Sequence, residues 1–152
     1  MAKTIHEEPK GRTNAAKPAK LRRTRIALIA HDGKKEELMT FVEGQLPLLQ
    51  RSRLFATEVT GQLLRERFDL RATLMPSGPS GGDIVIGAMV VRGKLDVVVF
   101  LRDPLAAHPH DSDIEALMKV CDTYGITMAT NIATAEAIFE PLLSPSHVTR
   151  HE

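Results

Sequence analysis

The chain predicts an α/β protein built on one doubly wound parallel sheet with helices on both faces. Three observations carry that prediction. Residues 26–30 and 95–101 are apolar runs of strand length without polar alternation, as strands covered on both faces require. Between such runs lie segments whose apolar residues recur at helical spacing. The chain has 152 residues, 43% of them hydrophobic and 26% charged, the size and balance of one domain with a core. Aromatic residues make up only 4% and Trp is absent, so aliphatic side chains must fill that core.

Taken in order, residues 26–30 form the first strand, followed by His31-Asp32-Gly33. A helix from Lys34 places Leu38, Phe41, Val42, Leu46 and Leu49 at helical spacing, and Pro47 kinks or ends it. Residues 54–57 are the second strand, and Thr60-Gly61-Gln62 opens a short helix. Residues 70–75 form a partly polar third strand before a Gly-rich turn, and residues 84–91 a helix. Residues 95–101 are the clearest buried strand. A loop over 102–112 leads to a helix whose stripe Ile114, Leu117, Met118, Cys121 follows i, i+3, i+4, i+7. Residues 126–130 make a fifth strand and 134–139 a last short helix. Alternation of this kind, with right-handed crossovers, gives a flavodoxin-like sheet of about five strands.

The net charge of +1 conceals an asymmetry, because residues 1–25 hold eight Lys/Arg against two Glu. Residues 1–24, poor in bulky apolar side chains, read as a disordered basic arm ahead of a domain spanning 25–152. The arm lacks interleaved aromatics and the remainder is acidic, so nucleic acid is an unlikely partner. No apolar stretch approaches the roughly 18 residues that span a bilayer. One cysteine and no secretory leader point to a reducing, cytoplasmic setting.

In sheets of this type ligands bind beyond the carboxyl ends of the strands. The unusual polar residues fall there: His31 and Asp32; Thr57 and Thr60; the Gly-rich turn with Asp83; Asp103, His108, His110, Asp111 and Asp113; and Thr130-Asn131. The turn Ser77-Gly78-Pro79-Ser80-Gly81-Gly82-Asp83 suits a phosphate, since glycine lets backbone N–H groups approach an anion. Its bland alternative is a strand-to-helix turn with Asp83 as N-cap. In the His/Asp loop, Ser112 with Glu115 fits a capping box, which leaves His110 without a structural duty. The two histidines raise the question of a metal, but no cysteine cluster or further spaced ligand accompanies them, and neither metal nor cofactor is expected.

Five ordered motifs together resemble the methylglyoxal synthase family, from about Arg25 to about Phe139. They are Ala30-His31-Asp32, Ala56-Thr57-x-x-Thr60-Gly61, Ser77-Gly78-Pro79-x-Gly81-Gly82-Asp83, Asp103-Pro104-Leu105 followed by Pro109-His110-Asp111-x-Asp113, and Ala129-Thr130-Asn131-x-Ala133-Thr134. The resemblance implies a cofactor-free lyase that converts dihydroxyacetone phosphate to methylglyoxal and inorganic phosphate. It further implies Asp83 as base, and His31 and His110 beside the carbonyl and hydroxyl oxygens. Lys35, Thr57, Thr60, Ser77 and Gly78 would hold the phosphate, with Asp32, Asp103 and Asp113 as further active-site acids. A homohexamer is also implied, with inorganic phosphate as product and regulator. The sequence departs from the family pattern at Glu58 and Val59 after strand two, and at Ile84 and Val85 after Asp83. The alternative is a non-catalytic phosphate- or nucleotide-sensing module of the same fold, resembling the regulatory domain of carbamoyl-phosphate synthase.

Overall fold

A computed structural model describes residues 22–143. Five strands, β1 (Arg25–Ala30), β2 (Arg53–Thr57), β3 (Ala72–Met75), β4 (Val97–Leu101) and β5 (Thr127–Ala129), form one sheet in the order β3-β2-β1-β4-β5. Every pairing is parallel. Six helices connect or flank them: α1 (Lys35–Gly44), α2 (Leu46–Gln50), α3 (Glu58–Phe68), α4 (Gly82–Val91), α5 (Asp111–Tyr124) and α6 (Ile132–Leu143). The chain reverses its direction of travel across the sheet between β1 and β4. That switch point opens a crevice at the carboxyl ends of two central strands.

The two-residue period of the strands sorts the core into two layers. Ile26, Leu28, Ala30, Val97, Val99 and Leu101 face one side, where Leu38 and Phe41 of α1, Leu64 of α3 and Phe139 of α6 close over them. Ala27, Ile29, Val98 and Phe100 face the other, covered by Ile86 and Val90 of α4 and by Ile114, Leu117 and Cys121 of α5. Each such Val, Leu, Ile or Phe side chain stabilises the fold by roughly 1.5–3 kcal/mol through burial. Enclosure in this second layer pushes the Cys121 thiol up to about 11.

The start of β1 is latched to β4 by charge. Asp96 accepts from the Arg25 backbone N–H at 2.8 Å and from its guanidinium at 3.0 and 3.1 Å, and from Arg22 at 2.8 Å. The Arg25 guanidinium holds the Asp96 carboxyl below the usual range. Of the predicted basic arm, residues 1–21 lie outside the described residues.

Several boundaries differ from the sequence pattern. α3 begins at Glu58 rather than Thr60, because Thr57 takes the N-cap position in extended conformation, without a side-chain bond, and Glu58 sits favourably in the first turn. α1 ends at Gly44, and Pro47 falls in the first turn of α2, where a missing N–H is harmless. β3 is shortened to Ala72–Met75 because Asp69 ends α3 in the left-handed region (φ 51°). α6 extends over Ile132–Leu143, beyond the predicted 134–139. Among the described residues no helix is long and apolar enough to cross a membrane.

Candidate active site

A cavity of about 220 Å³ opens at the switch point, lined by residues from four of the five predicted rim loops. His31 enters it directly from β1. Its backbone N–H donates to Leu101 O at 3.1 Å, which ties the turn to the end of β4. Its Nδ1 accepts the Asp103 backbone N–H at 2.8 Å. A neutral imidazole accepting at Nδ1 carries its hydrogen on Nε2, and Nε2 is buried without a partner. Burial first, then the neighbouring His108 and His110, lower the His31 pKa to about 4. The ring is therefore a neutral donor at neutral pH.

Lys35, the first residue of α1, donates from Nζ to Ala30 O at 2.7 Å and lies 3.4 Å from Asp32 Oδ1. This holds its ammonium at the cavity wall, while the Asp32 side chain is fully exposed at the rim. From the next crossover, Thr57 and Val59 line the cavity, so the first turn of α3 opens onto it. No side chain caps that turn, which leaves its leading N–H groups available to a ligand. Glu58 is exposed and does not line the cavity. Thr60 is fully buried with its hydroxyl unpartnered, and it too stands outside the lining.

The Gly-rich turn supplies Ser77, Gly78 and Pro79. Two of its glycines are sterically required. A Cβ on Gly82 would meet Pro76 O at 2.0 Å, and one on Gly78 would meet His110 Nε2 at 2.7 Å. The tight turn delivers Asp83 into the first turn of α4, where it is fully buried. Gly81, not Asp83, occupies the N-cap position, so the capping alternative for Asp83 falls away. Neither Asp83 carboxylate oxygen has a hydrogen-bond partner. Burial raises its pKa, His110 opposes the rise and Asp113 adds to it.

His110 stands at the start of α5, with Nε2 3.5 Å from Asp83 Oδ2 and Nδ1 buried and unpartnered. Ser112 does not cap this helix, contrary to the capping-box pattern. His110 holds the N-cap position, and the nearby turn is closed by Asp111 Oδ2, which accepts the His108 N–H at 3.2 Å. Asp103 and Asp113 do not line the cavity. Asp103 acts on it through the backbone N–H given to His31, and Asp113 through its charge on Asp83. The structure adds His108, which received no role from the motif pattern. Its ring stacks on His31 with centroids 3.6 Å apart and planes 18° from parallel, and its Nε2 is unpartnered. The two-residue spacing of His108 and His110 across Pro109 was the available signal. Among the described residues no group of three or more His, Cys, Asp or Glu side chains is placed to hold a metal ion.

This sheet order, with an unpaired carboxylate and two imidazoles at its switch point, defines an MGS-like domain, and residues 38–130 match the family model of that description. The chain is 48% identical over 118 residues to methylglyoxal synthase of Bacillus anthracis, covering 78% of this chain and 90% of that one. It is 51% identical over 115 residues to methylglyoxal synthase of Moorella thermoacetica, covering 76% and 89%. The crystal structure of methylglyoxal synthase from Elizabethkingia anophelis superposes with a TM-score of 0.73 at 40% identity, covering 81% of this chain and 79% of that one. The chain belongs to the methylglyoxal synthase family, whose members are lyases.

Proposed function

We propose that this chain converts dihydroxyacetone phosphate to methylglyoxal and inorganic phosphate through an enediolate. The observation that carries the reading is Asp83, a fully buried carboxylate at the cavity with both oxygens unpartnered. Such a group is expensive to bury, and removing a carbon-bound proton is work that needs an unsolvated base. Asp83 takes the proton from the hydroxymethyl carbon, and the C–H electron pair moves to form the enediolate with charge on the carbonyl oxygen. His31 Nε2–H and His110 donate to the two oxygens. A neutral imidazole donor stabilises the charge without surrendering its proton.

The hydroxyl oxygen then gives its proton to the phosphate and its electron pair to an aldehyde C=O, while the enediol π pair shifts toward the phosphate-bearing carbon and breaks its C–O bond. Departure is fastest with that bond perpendicular to the enediol plane. Lys35, Thr57, Ser77, Gly78 and the first-turn N–H groups of α3, that of Thr60 included, hold the phosphate at this torsion and accept its growing charge. The enolate left behind takes a proton on its terminal CH2 carbon and becomes methylglyoxal. In this scheme Asp32 steadies Lys35, Asp103 fixes the His31 tautomer, and Asp113 makes Asp83 more basic.

The exposed apolar side chains Leu74, Ile84, Val85 and Val91 support a homo-oligomer, a hexamer by family likeness, and we place its work in the cytoplasm. The deciding experiment incubates the purified full chain with dihydroxyacetone phosphate and follows methylglyoxal and phosphate together. Equal release of both is expected. Binding without turnover would replace the lyase with the sensing module.

A further inference from the structure

We propose that His108 is a positioning residue for His31: its ring forms a wall that holds the His31 imidazole in the plane from which Nε2–H meets the substrate oxygen. The inference rests on the lyase reading, in which that hydrogen bond stabilises the enediolate.

The geometry is a clamp. One face of His31 lies against the His108 ring at 3.6 Å, nearly parallel, and Phe100 approaches from 5.1 Å at 81°. The Asp103 N–H on Nδ1 fixes one point of the ring. A single hydrogen bond leaves rotation about its axis open, and a flat wall removes that freedom. His108 is itself fixed from below. Its N–H donates to Asp111 Oδ2 at 3.2 Å while its carbonyl accepts the Asp111 N–H at 3.2 Å. The stacking ring therefore belongs to a closed turn at the head of α5 rather than to a loose loop.

The electrostatics agree with the packing. The titratable groups acting on His31 are His108 and His110 from the loop before α5, and Arg102 and Asp103 from the end of β4. Burial acts first on His31; His108, His110 and Arg102 all disfavour its protonation, and Asp103 alone opposes them. Removing the His108 ring would let water reach the exposed face of His31 and would weaken the two largest causes together.

The test uses the full chain with histidine side chains labelled with nitrogen-15, His31 being assigned by loss of its signal in His31→Asn. The readouts are the His31 tautomer and titration midpoint without substrate, and kcat and KM for dihydroxyacetone phosphate. His108→Ala should raise the midpoint by about one pH unit and lower kcat about tenfold with KM changed less than about threefold. His108→Phe, which keeps a flat wall, should recover most of the lost kcat. An unmoved midpoint in His108→Ala, or a His108→Phe enzyme as slow as His108→Ala, would overturn the proposal. Because the titration needs no turnover, a wild-type chain inactive on dihydroxyacetone phosphate would refute the lyase reading while the midpoint still judges the clamp.

Discussion

His110 reaches to within 3.5 Å of Asp83 only because Gly78 leaves room for its ring. The Cβ of any other residue at position 78 would fall 2.7 Å from His110 Nε2, well inside contact distance. Gly78→Ala is therefore expected to push His110 off Asp83. The kcat should fall by about two orders of magnitude, as displacements of this size do in positioned sites. Thermal melting should shift by only a few degrees, since the turn is at the surface of the cavity rather than in the core. Steady-state kinetics beside a melting curve check both.

Asp83→Asn should abolish proton abstraction while keeping the shape of the site. A loss of roughly 10²–10⁴-fold in kcat is the expected scale for a positioned base. The same change removes a buried carboxylate that has no hydrogen-bond partner. The variant should accordingly melt at the same or a higher temperature at pH 7. A slower and less stable variant would show the carboxylate to be a structural group.

Two pKa shifts of opposite sign set the acid behaviour. His31 is neutral in the folded chain down to about 4 against 6.5 when free. Between those values the unfolded chain binds the proton and the folded one does not. The His31 contribution is thus complete above pH 6.5 and is lost as pH falls toward 4, by at most about 3 kcal/mol. The Asp83 shift runs upward from 3.8. Its contribution is present below 3.8 and lost as pH rises through the folded value, so it partly offsets His31 on acidification. Denaturant titrations at pH 7 and 4.5 should show weaker stability at the lower pH and a smaller difference in His31→Asn. In kcat/KM, a single acid limb from Asp83 is expected above 3.8, with none near 6.5 from His31.

Val59 lines the cavity beside Thr57, while Glu58 is exposed and lies outside the lining. Val59→Thr keeps the side-chain volume and adds a hydroxyl toward the phosphate side. The KM should fall severalfold, on the scale of one hydrogen bond to a charged group. Glu58→Gln should change KM by less than about twofold, because its carboxylate is separated from the ligand and screened by water. A large gain on Glu58→Gln would show that this carboxylate repels the substrate.

Much of the fold was legible because its signals are periodic. The alternation of Ile26, Leu28 and Ala30 with Ala27 and Ile29, each set on its own layer, is readable from side chains alone. The strand order was not, since alternating strands and helices allow several crossovers and only the packed sheet selects β3-β2-β1-β4-β5. At the site, His31, Asp83 and His110, each singled out by its motif, line one cavity. Asp103 and Asp113 lie behind the cavity, acting through a backbone N–H and a field, and no residue spacing encodes that difference. His108 went unassigned because stacking needs two rings brought face to face from loops 77 positions apart, a property of tertiary geometry.

The single cysteine gains meaning from the product. A dicarbonyl such as methylglyoxal is electrophilic, and among side chains the thiolate is the most ready to add to it. Cys121 is fully enclosed behind α5 and ionises only near 11, so at neutral pH it presents neither access nor a reactive anion. The catalyst is thereby sheltered from self-inflicted addition at sulfur through every turnover.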